Sequence, residues 1–283
     1  MTITIEKVSP AVGAEIKGLD LSRPLDAETV EQIRAAWLEH IVLLVRDQDL
    51  TVEQQVRFAT CFGELGKRSR APKDKKPGDG DYRDSVMLVT NIVDEDGKPI
   101  GSFGGGEMWF HADTCYYQVP NKMTMLYAME LPSRGGNTRV NNMYRAYDNV
   151  PKALKDKLEG HTVLQIHDYK RTERIDPDGD IEGMLHYHQP IFVTHPETDK
   201  RALYVNRLMS AKIDGFPRGE SNAILEQLFT IAEDPALFYE HEWRLGDLLM
   251  WDNRCSMHAR TEFPEDERRM LRRCTVKGEA MRA

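Results

Sequence analysis

Short apolar runs separated by turn-forming residues recur along most of the chain, and they predict a protein built mainly from β-strands. The segment 2–20 alternates weakly between apolar and polar positions, which predicts short strands there. Turn signals such as Ser133-Arg-Gly-Gly136 and Gly246-Asp247 stand between the runs. Many short strands of this kind are typical of a barrel or a jelly roll. The other predicted strands cover residues 41–45, 86–92, 122–131, 190–194, 202–205, 239–243, 248–251 and 269–276.

Segments with helical spacing are fewer, and we interpret the helices as accessory to the strands. Residues 26–40 predict a helix that begins near Asp26. Thr51-Val-Glu-Gln54 has the spacing of a capping box, which marks the start of a second helix. Further helices are predicted within residues 142–159 and over residues 221–232.

Two polar segments interrupt this pattern, and we interpret them as insertion loops of a single domain over residues 1–283. They lie near residues 64–84 and 168–184. The first is basic and allows two interpretations, a solvated surface loop or a lid whose cations meet an anionic substrate. Its cations include Lys67, Arg68 and Arg70.

Composition excludes several classes of protein. A formal net charge of −8 argues against a nucleic-acid binder, because phosphate binding needs a basic surface. No apolar run approaches the roughly 20 residues of a membrane span. The start of the chain lacks the pattern of a signal peptide, and the four cysteines show no paired spacing. We therefore expect a cytoplasmic protein with free thiols that binds neither membrane nor nucleic acid.

The strongest chemical signal is His111-Ala-Asp113. In an extended strand the side chains at positions i and i+2 point to the same face, so an imidazole nitrogen and a carboxylate oxygen can meet at one point. A metal ion is the expected occupant. One more histidine would complete the set of two histidines and one carboxylate that leaves open positions on non-haem Fe(II).

Composition does not choose the third ligand among nine histidines. His186 and His188 also have i, i+2 spacing and form a rival pair. Cys115 and Cys255 lie near the candidate ligands in sequence and leave a zinc site with thiolates open. His258 differs from the other histidines because it ends the segment Gly246-Asp-Leu-Leu-Met-Trp-Asp-Asn-Arg-Cys-Ser-Met-His258, a turn and a buried strand followed by a polar stretch.

Three motifs together resemble the taurine / 2,4-dichlorophenoxyacetate dioxygenase family: His111-x-Asp113, Gly246-Asp-Leu-x-x-Trp-Asp-Asn-x-x-x-x-His258 and Arg269-x-x-x-Arg273-x-Thr275. The resemblance covers roughly residues 10–276 and includes Leu131-Pro-Ser-Arg-Gly-Gly-Asn-Thr138. It implies a mainly β fold with accessory helices, the double-stranded β-helix (jelly roll) of clavaminate-synthase-like enzymes. It also implies dependence on Fe(II), 2-oxoglutarate and O2.

The same resemblance assigns roles to individual residues. His111, Asp113 and His258 match the iron ligands, Arg269 and Thr138 match the residues that bind the distal carboxylate of 2-oxoglutarate, and Arg273 matches an arginine that reaches the anionic groups in the active site. A guanidinium grips a carboxylate through two parallel hydrogen bonds, which suits Arg269.

The chain departs from the family pattern just before the first ligand. The family commonly has tryptophan directly before that ligand, but here Phe110 holds that place and Trp109 lies one residue earlier. Glu107 stands where an asparagine often faces the substrate. With Lys67, Arg68, Arg70 and Arg273, these three residues are our candidates for substrate binding.

The resemblance implies hydroxylation of a small anionic molecule, with 2-oxoglutarate converted to succinate. We expect an aryl or aryloxyalkanoate carboxylate as substrate, hence a role in aromatic compound catabolism. Hydroxylation leads to cleavage where the hydroxylated carbon bears an ether oxygen, a sulfonate or an amine. An alkyl sulfonate such as taurine is the alternative within the class. A zinc hydrolase and a cupin-like binder without catalysis are the competing classes, and a homo-oligomer, dimer or tetramer, is expected.

Overall fold

The computed structural model describes residues 3–67, 84–167 and 171–283, so Arg68, Arg70 and parts of both insertion loops lie outside the described residues. Its strands are β1 (Thr4–Lys7), β2 (Ala14–Lys17), β3 (Val42–Val45), β4 (Val86–Thr90), β5 (Ser102–Phe103), β6 (Met108–His111), β7 (Asn121–Glu130), β8 (Thr138–Asn141), β9 (Thr162–His167), β10 (Leu185–Pro190), β11 (Phe192–Thr194), β12 (Arg201–Leu203), β13 (Ser210–Ile213), β14 (Phe238–His241), β15 (Leu248–Asp252), β16 (His258–Arg260) and β17 (Met270–Lys277). Its helices are α1 (Ala27–His40), α2 (Val52–Thr60), α3 (Met143–Asn149), α4 (Lys152–Leu158) and α5 (Arg218–Ala232). The mainly β prediction with accessory helices is confirmed.

The largest sheet has eight strands in the order β1-β2-β3-β15-β7-β17-β4-β5, and its central strands β3 and β15 are buried on both faces. Side chains alternate across a strand, so neighbouring residues of β3 enter different clusters. Leu43 packs with Ile33 and Trp37 of α1 on the outer face. Leu44 packs with Val140 and other residues of the smaller sheet on the inner face. This double burial explains why the central strands read as continuous apolar runs.

A second sheet has four strands in the order β14-β8-β16-β6 and covers the inner face of the first. The two facing sheets form the jelly roll. Smaller sheets of three strands (β10-β9-β13) and two strands (β11-β12) pack beside them. Among the described residues, no helix combines the length and apolar character needed to cross a membrane.

The helix starts follow the sequence signals. Asp26 accepts a hydrogen bond from the Thr29 backbone N–H at 2.7 Å and caps α1. Thr51 and Gln54 form the reciprocal capping box at the start of α2. Each cap satisfies backbone N–H groups that have no partner inside the helix.

Candidate active site

Three residues from two neighbouring strands converge between the sheets. His111 ends β6, Asp113 follows two residues later, and His258 begins β16 directly opposite His111. One ligand atom from each lies within 4.8 Å of the other two. The structure therefore brings together the three residues that the motifs single out, which we call the triad. Their spacing is the one that a single metal ion requires.

Neighbouring groups orient these side chains. Nδ1 of His111 donates to the Trp109 carbonyl at 2.9 Å, which leaves the lone pair on Nε2 available to a metal. Oδ2 of Asp113 accepts from the Thr124 hydroxyl at 2.5 Å, and Oδ1 pairs with Nη2 of Arg273 at 2.8 Å. Nδ1 of His258 is buried and has no hydrogen-bond partner among the described residues.

Burial and charge set the protonation of the three groups. Burial lowers the pKa of both histidines, and the nearby His111 lowers the pKa of His258 further. Burial alone would raise the pKa of Asp113, but the charge of Arg273, with the hydrogen bond from Thr124, outweighs it and places this pKa well below its usual range. The set is thus two neutral imidazoles and one carboxylate at neutral pH, the form in which these groups bind metals.

An inner cavity leads from these residues to Arg269 and Thr138. Arg269 is only 2% exposed, and its Nε and Nη2 donate to the Gly136 carbonyl at 3.2 and 2.8 Å. Burial, followed by the charge of Arg260, lowers the pKa of Arg269 to about 9. Among the described residues no carboxylate forms an ion pair with this guanidinium, so a ligand carboxylate suits it.

The side chain of Trp243 orients the hydroxyl of Thr138. Nε1 of Trp243 donates to Oγ1 of Thr138 at 3.1 Å. The indole N–H occupies an acceptor position of the hydroxyl, so the hydroxyl proton remains free to be donated into the cavity. The sequence analysis did not identify Trp243 as a site residue, because no local motif shows which side chain meets Thr138 across the sheet.

An outer cavity of about 380 Å³ opens from the other side of His111 and Asp113. Arg273 lines both cavities and stands where they meet. Lys67, one of the predicted substrate residues, lines the outer cavity. Much of its wall is apolar, with Met87, Phe103, Met108, Tyr116, Leu208 and Met209.

Three other candidate substrate residues lie elsewhere. Glu107, Trp109 and Phe110 line a separate groove with Arg139 and Phe238, and none of the three lines either cavity at the triad. Their contact with the substrate stays a prediction that neither cavity at the triad supports. Glu107 is solvent exposed.

A β-bulge accounts for this difference. His258 and Arg260 of β16 are two residues apart, whereas their partners His111 and Met108 on β6 are three apart. The extra residue in β6 reverses the alternation of side chains upstream of it. Met108, rather than Trp109, therefore shares the cavity with His111.

The two alternative metal sites considered from the sequence, a histidine pair and a zinc site with thiolates, are not part of the triad. His186 and His188 are exposed on β10, where His188 pairs with Asp214 at 2.6 Å. Cys115 is buried, and its Sγ lies 3.5 Å from Oε1 of Gln165. The triad cluster contains no cysteine among the described residues.

Cys255 belongs to another buried cluster, with His195 and Asp252. Both oxygens of Asp252 accept hydrogen bonds from Arg254, at 2.9 and 2.7 Å, and Oδ2 also lies 3.1 Å from Nε2 of His195. None of these three residues lines either cavity at the triad, and the guanidinium already balances the charge of Asp252, so we assign the cluster to the structure of the turn before β16.

Comparison with known proteins supplies the identity. Residues 4–275 match the model of the family described as "Taurine catabolism dioxygenase TauD, TfdA family". The (S)-phenoxypropionate/alpha-ketoglutarate-dioxygenase of Sphingobium herbicidovorans is 32% identical, over 97% of this chain and 95% of the relative. Pentalenolactone F synthase of Streptomyces avermitilis is 31% identical, over 93% of this chain and 90% of the relative.

A solved structure extends the likeness to the fold. The crystal structure of AAD-2 in complex with Mn(II) and N-oxalylglycine superposes with a TM-score of 0.83 and 29% identity, over 100% of this chain and 99% of that one. The likeness to this enzyme confirms the jelly-roll prediction. The family match and the phenoxypropionate relative confirm the predicted enzyme class. The chain therefore belongs to the taurine catabolism dioxygenase TauD, TfdA family, and it is a 2-oxoglutarate-dependent dioxygenase.

Proposed function

We propose that this dioxygenase binds Fe(II) through His111, Asp113 and His258 and hydroxylates a small anionic substrate in the outer cavity. One observation supports the proposal above all others. The inner cavity ends at the buried Arg269, which forms an ion pair with no acid among the described residues, and it meets the larger cavity with the apolar wall at His111 and Asp113. Co-substrate and substrate thus have separate places beside one metal position.

The residues fit the metal that the family implies. Two neutral imidazoles and a carboxylate on one side of a site favour Fe(II) with open positions. The unpartnered nitrogen of His258 and the acceptor oxygens of Asp113 are buried polar atoms that a cation stabilises. When bound, Fe(II) with 2-oxoglutarate and O2 supplies the oxidising power to hydroxylate a C–H bond, and 2-oxoglutarate leaves as succinate and CO2.

The protein contributes binding and exclusion of water. Arg269 offers parallel N–H donors to the distal carboxylate of 2-oxoglutarate, and Thr138 adds a hydroxyl donor. Arg273 lies beside Asp113 at the junction of the cavities, where it neutralises negative charge and can contact an anionic group of the substrate. The apolar wall around Met87, Met108 and Leu208 keeps water from the reacting atoms.

We assign an aryl or aryloxyalkanoate carboxylate as the substrate class, which implies a role in aromatic compound catabolism. The apolar wall of the outer cavity suits an aromatic body, and Arg273 suits a carboxylate. A relative that acts on (S)-phenoxypropionate by name supports this class. Taurine, a short polar sulfonate, would leave the apolar wall without a partner.

A coupled assay tests the proposal. With Fe(II), 2-oxoglutarate and O2, we expect succinate release to rise in the presence of aryloxyalkanoates and aromatic acids. His111→Ala and Asp113→Ala should abolish turnover without unfolding the chain. Asp113→Ala should lower the unfolding midpoint more, because it leaves the charge of Arg273 without its partner. His186→Ala, an exposed histidine outside the site, is the control and should retain activity.

The same protein can be examined without O2 to identify the metal. Addition of 2-oxoglutarate to the Fe(II) form should give a weak metal-to-ligand charge-transfer band, which a zinc hydrolase would not show. Background succinate release across aryloxyalkanoates, aromatic acids and sulfonates would refute the proposal. The homo-oligomer, dimer or tetramer, stays a prediction that size-exclusion chromatography with light scattering can test. A cytoplasmic location also stays a prediction.

A further inference from the structure

A second guanidinium, that of Arg171, lines the outer cavity but not the inner one. Its backbone carbonyl accepts a hydrogen bond from the Trp109 N–H at 2.9 Å, two residues before His111. This bond ties the residue to the ligand strand. Its Nη1 lies beside residues 104–106, three consecutive glycines that we call the glycine segment, 3.8 and 3.6 Å from the positions that a Cβ would take at Gly104 and Gly106.

Among the residues that the structure describes, no carboxylate in the cavity is free to pair with Arg171. The described residues that line it include the cations Lys67, Arg171 and Arg273 and one carboxylate, Asp113, which pairs with Arg273 at 2.8 Å. Nη1 of Arg171 is buried and has no hydrogen-bond partner among the described residues. A buried cationic donor of this kind is costly unless an anion compensates it.

A third arginine increases the positive field at this wall. Arg260 is buried behind the glycine segment and donates to the carbonyls of Phe103, Gly105 and Gly106 at 2.8 to 3.2 Å. Carbonyl groups do not neutralise a full charge. Burial, followed by the charge of Arg171, lowers the pKa of Arg260 to about 10, as expected for two cations that share a region without an acid between them.

We propose that Arg171 is a specificity-determining residue that binds a second anionic group of the substrate, so that the enzyme prefers aromatic dicarboxylates over monocarboxylates. The inference rests on the proposed function, because it places one carboxylate at Arg273 beside the metal position. Arg273 stands at the junction of the cavities, and Arg171 belongs to the outer cavity alone. The apolar side chains of Met87, Leu208 and Met209 line the same cavity and suit the body that joins two charged groups.

A matched substrate pair tests this specificity. Phenoxyacetate and 4-carboxyphenoxyacetate share one body and differ by one carboxylate. In the Fe(II) enzyme we expect kcat/KM, measured by succinate release, to favour the dianion at least tenfold. Arg171→Gln should reduce this preference below about threefold, mainly through KM for the dianion, and Arg171→Lys should retain part of it because a lysine keeps the charge but not the planar fork.

Arg174→Gln is the control for loss of charge in the same loop. Arg174 pairs with Glu226 at 3.3 Å and stacks over Phe229, outside both cavities, so its replacement should leave the preference as in the wild type. Thermal unfolding of each variant shows whether the fold is intact.

Binding separates failure of this inference from failure of the proposed function. Both acids are titrated calorimetrically, without O2, into the protein loaded with Fe(II) and 2-oxoglutarate. An Arg171-dependent preference for the dianion supports the inference even where neither acid is turned over. A wild-type preference for the monoanion, or a dianion preference that Arg171→Gln leaves intact, overturns it while leaving succinate release as the measure of the proposed function.

Discussion

At the scale of single residues, the buried guanidinium of Arg269 is the clearest sign of an anion-binding site. A charge that is 2% exposed is stable only when it is compensated, and the Gly136 carbonyl provides a dipole rather than a charge. Thr138 adds a hydroxyl whose proton is free, because Trp243 donates to its oxygen. Arg269 and Thr138 together therefore present hydrogen-bond donors and one positive charge to a carboxylate.

Replacing Arg269 should mainly affect 2-oxoglutarate. We expect Arg269→Ala to raise KM for 2-oxoglutarate at least tenfold, and Arg269→Lys to raise it less, since lysine keeps the charge but loses the bidentate geometry. Arg268→Ala is the matched control, because Arg268 is exposed and pairs with Glu130. Steady-state kinetics with varied 2-oxoglutarate measure the effect, and an unchanged requirement would remove Arg269 from this role.

At the scale of secondary-structure elements, the turn before β8 forms one wall of the arginine site. Gly136 has a φ of 64°, which favours glycine. A Cβ built there would lie 2.7 Å from Nε and 2.9 Å from Cδ of Arg269. The turn residue therefore determines both the path of the chain into β8 and the position of the guanidinium.

Gly136→Ala should combine two effects that a second glycine can separate. The left-handed backbone costs the alanine variant on the order of 1 kcal/mol of folding stability. Displacement of Arg269 should in addition raise KM for 2-oxoglutarate several-fold. Gly160→Ala is the control, because Gly160 has a φ of 78° and a Cβ there meets nothing within 4 Å. It should lower the unfolding midpoint comparably with no change in KM, and equal KM values for both variants would contradict this account.

At the scale of the whole molecule, Asp252 joins several parts of the fold behind the active site. It ends β15, binds Arg254 through both oxygens and accepts from His195. Arg254 in turn pairs with Glu197, which also binds Arg34 of α1. This buried network fixes the turn that leads to His258, so it connects the stability of the fold to the position of a candidate ligand.

The network predicts a defined dependence of stability on pH. Burial would raise the pKa of Asp252, but Arg254 outweighs it and lowers the pKa from 3.8 to about 2. The ionised form therefore stabilises the fold above about pH 4, and this contribution, about 2 kcal/mol, is lost as the pH falls towards 2. We expect wild type and Asp252→Asn to differ less in free energy of unfolding, measured in urea, as the pH falls from about 4 to about 2.

An exposed aspartate provides the reference for this experiment. Asp156 pairs with Lys152 on the surface of α4, and such pairs contribute little. Asp156→Asn should have nearly the same free energy of unfolding as wild type at about pH 4 and at about pH 2. A gap for Asp252→Asn that stays constant from pH 4 to pH 2 would show that its ionisation does not stabilise the fold.

Patterns that are local in sequence determined much of this protein. Apolar runs and turn residues predicted the mainly β fold, and the caps at Asp26 and Thr51 predicted the starts of α1 and α2, because these signals depend on a few neighbouring residues. The i, i+2 spacing placed His111 and Asp113 on one side for the same reason. Very short strands such as β8 and β16 contain too few residues to show a recognisable alternation of apolar and polar positions.

Only the tertiary structure decided which side chains meet across the sheets. The residues by themselves left the third ligand open, and His258 comes opposite His111 through the pairing of β6 with β16. The bulge in that pair turns Glu107 and Trp109 away from the cavity and brings Met108 into it. Arg171 enters the cavity from a loop distant in sequence. Register and loop packing arise from contacts between distant segments, and no local pattern contains them.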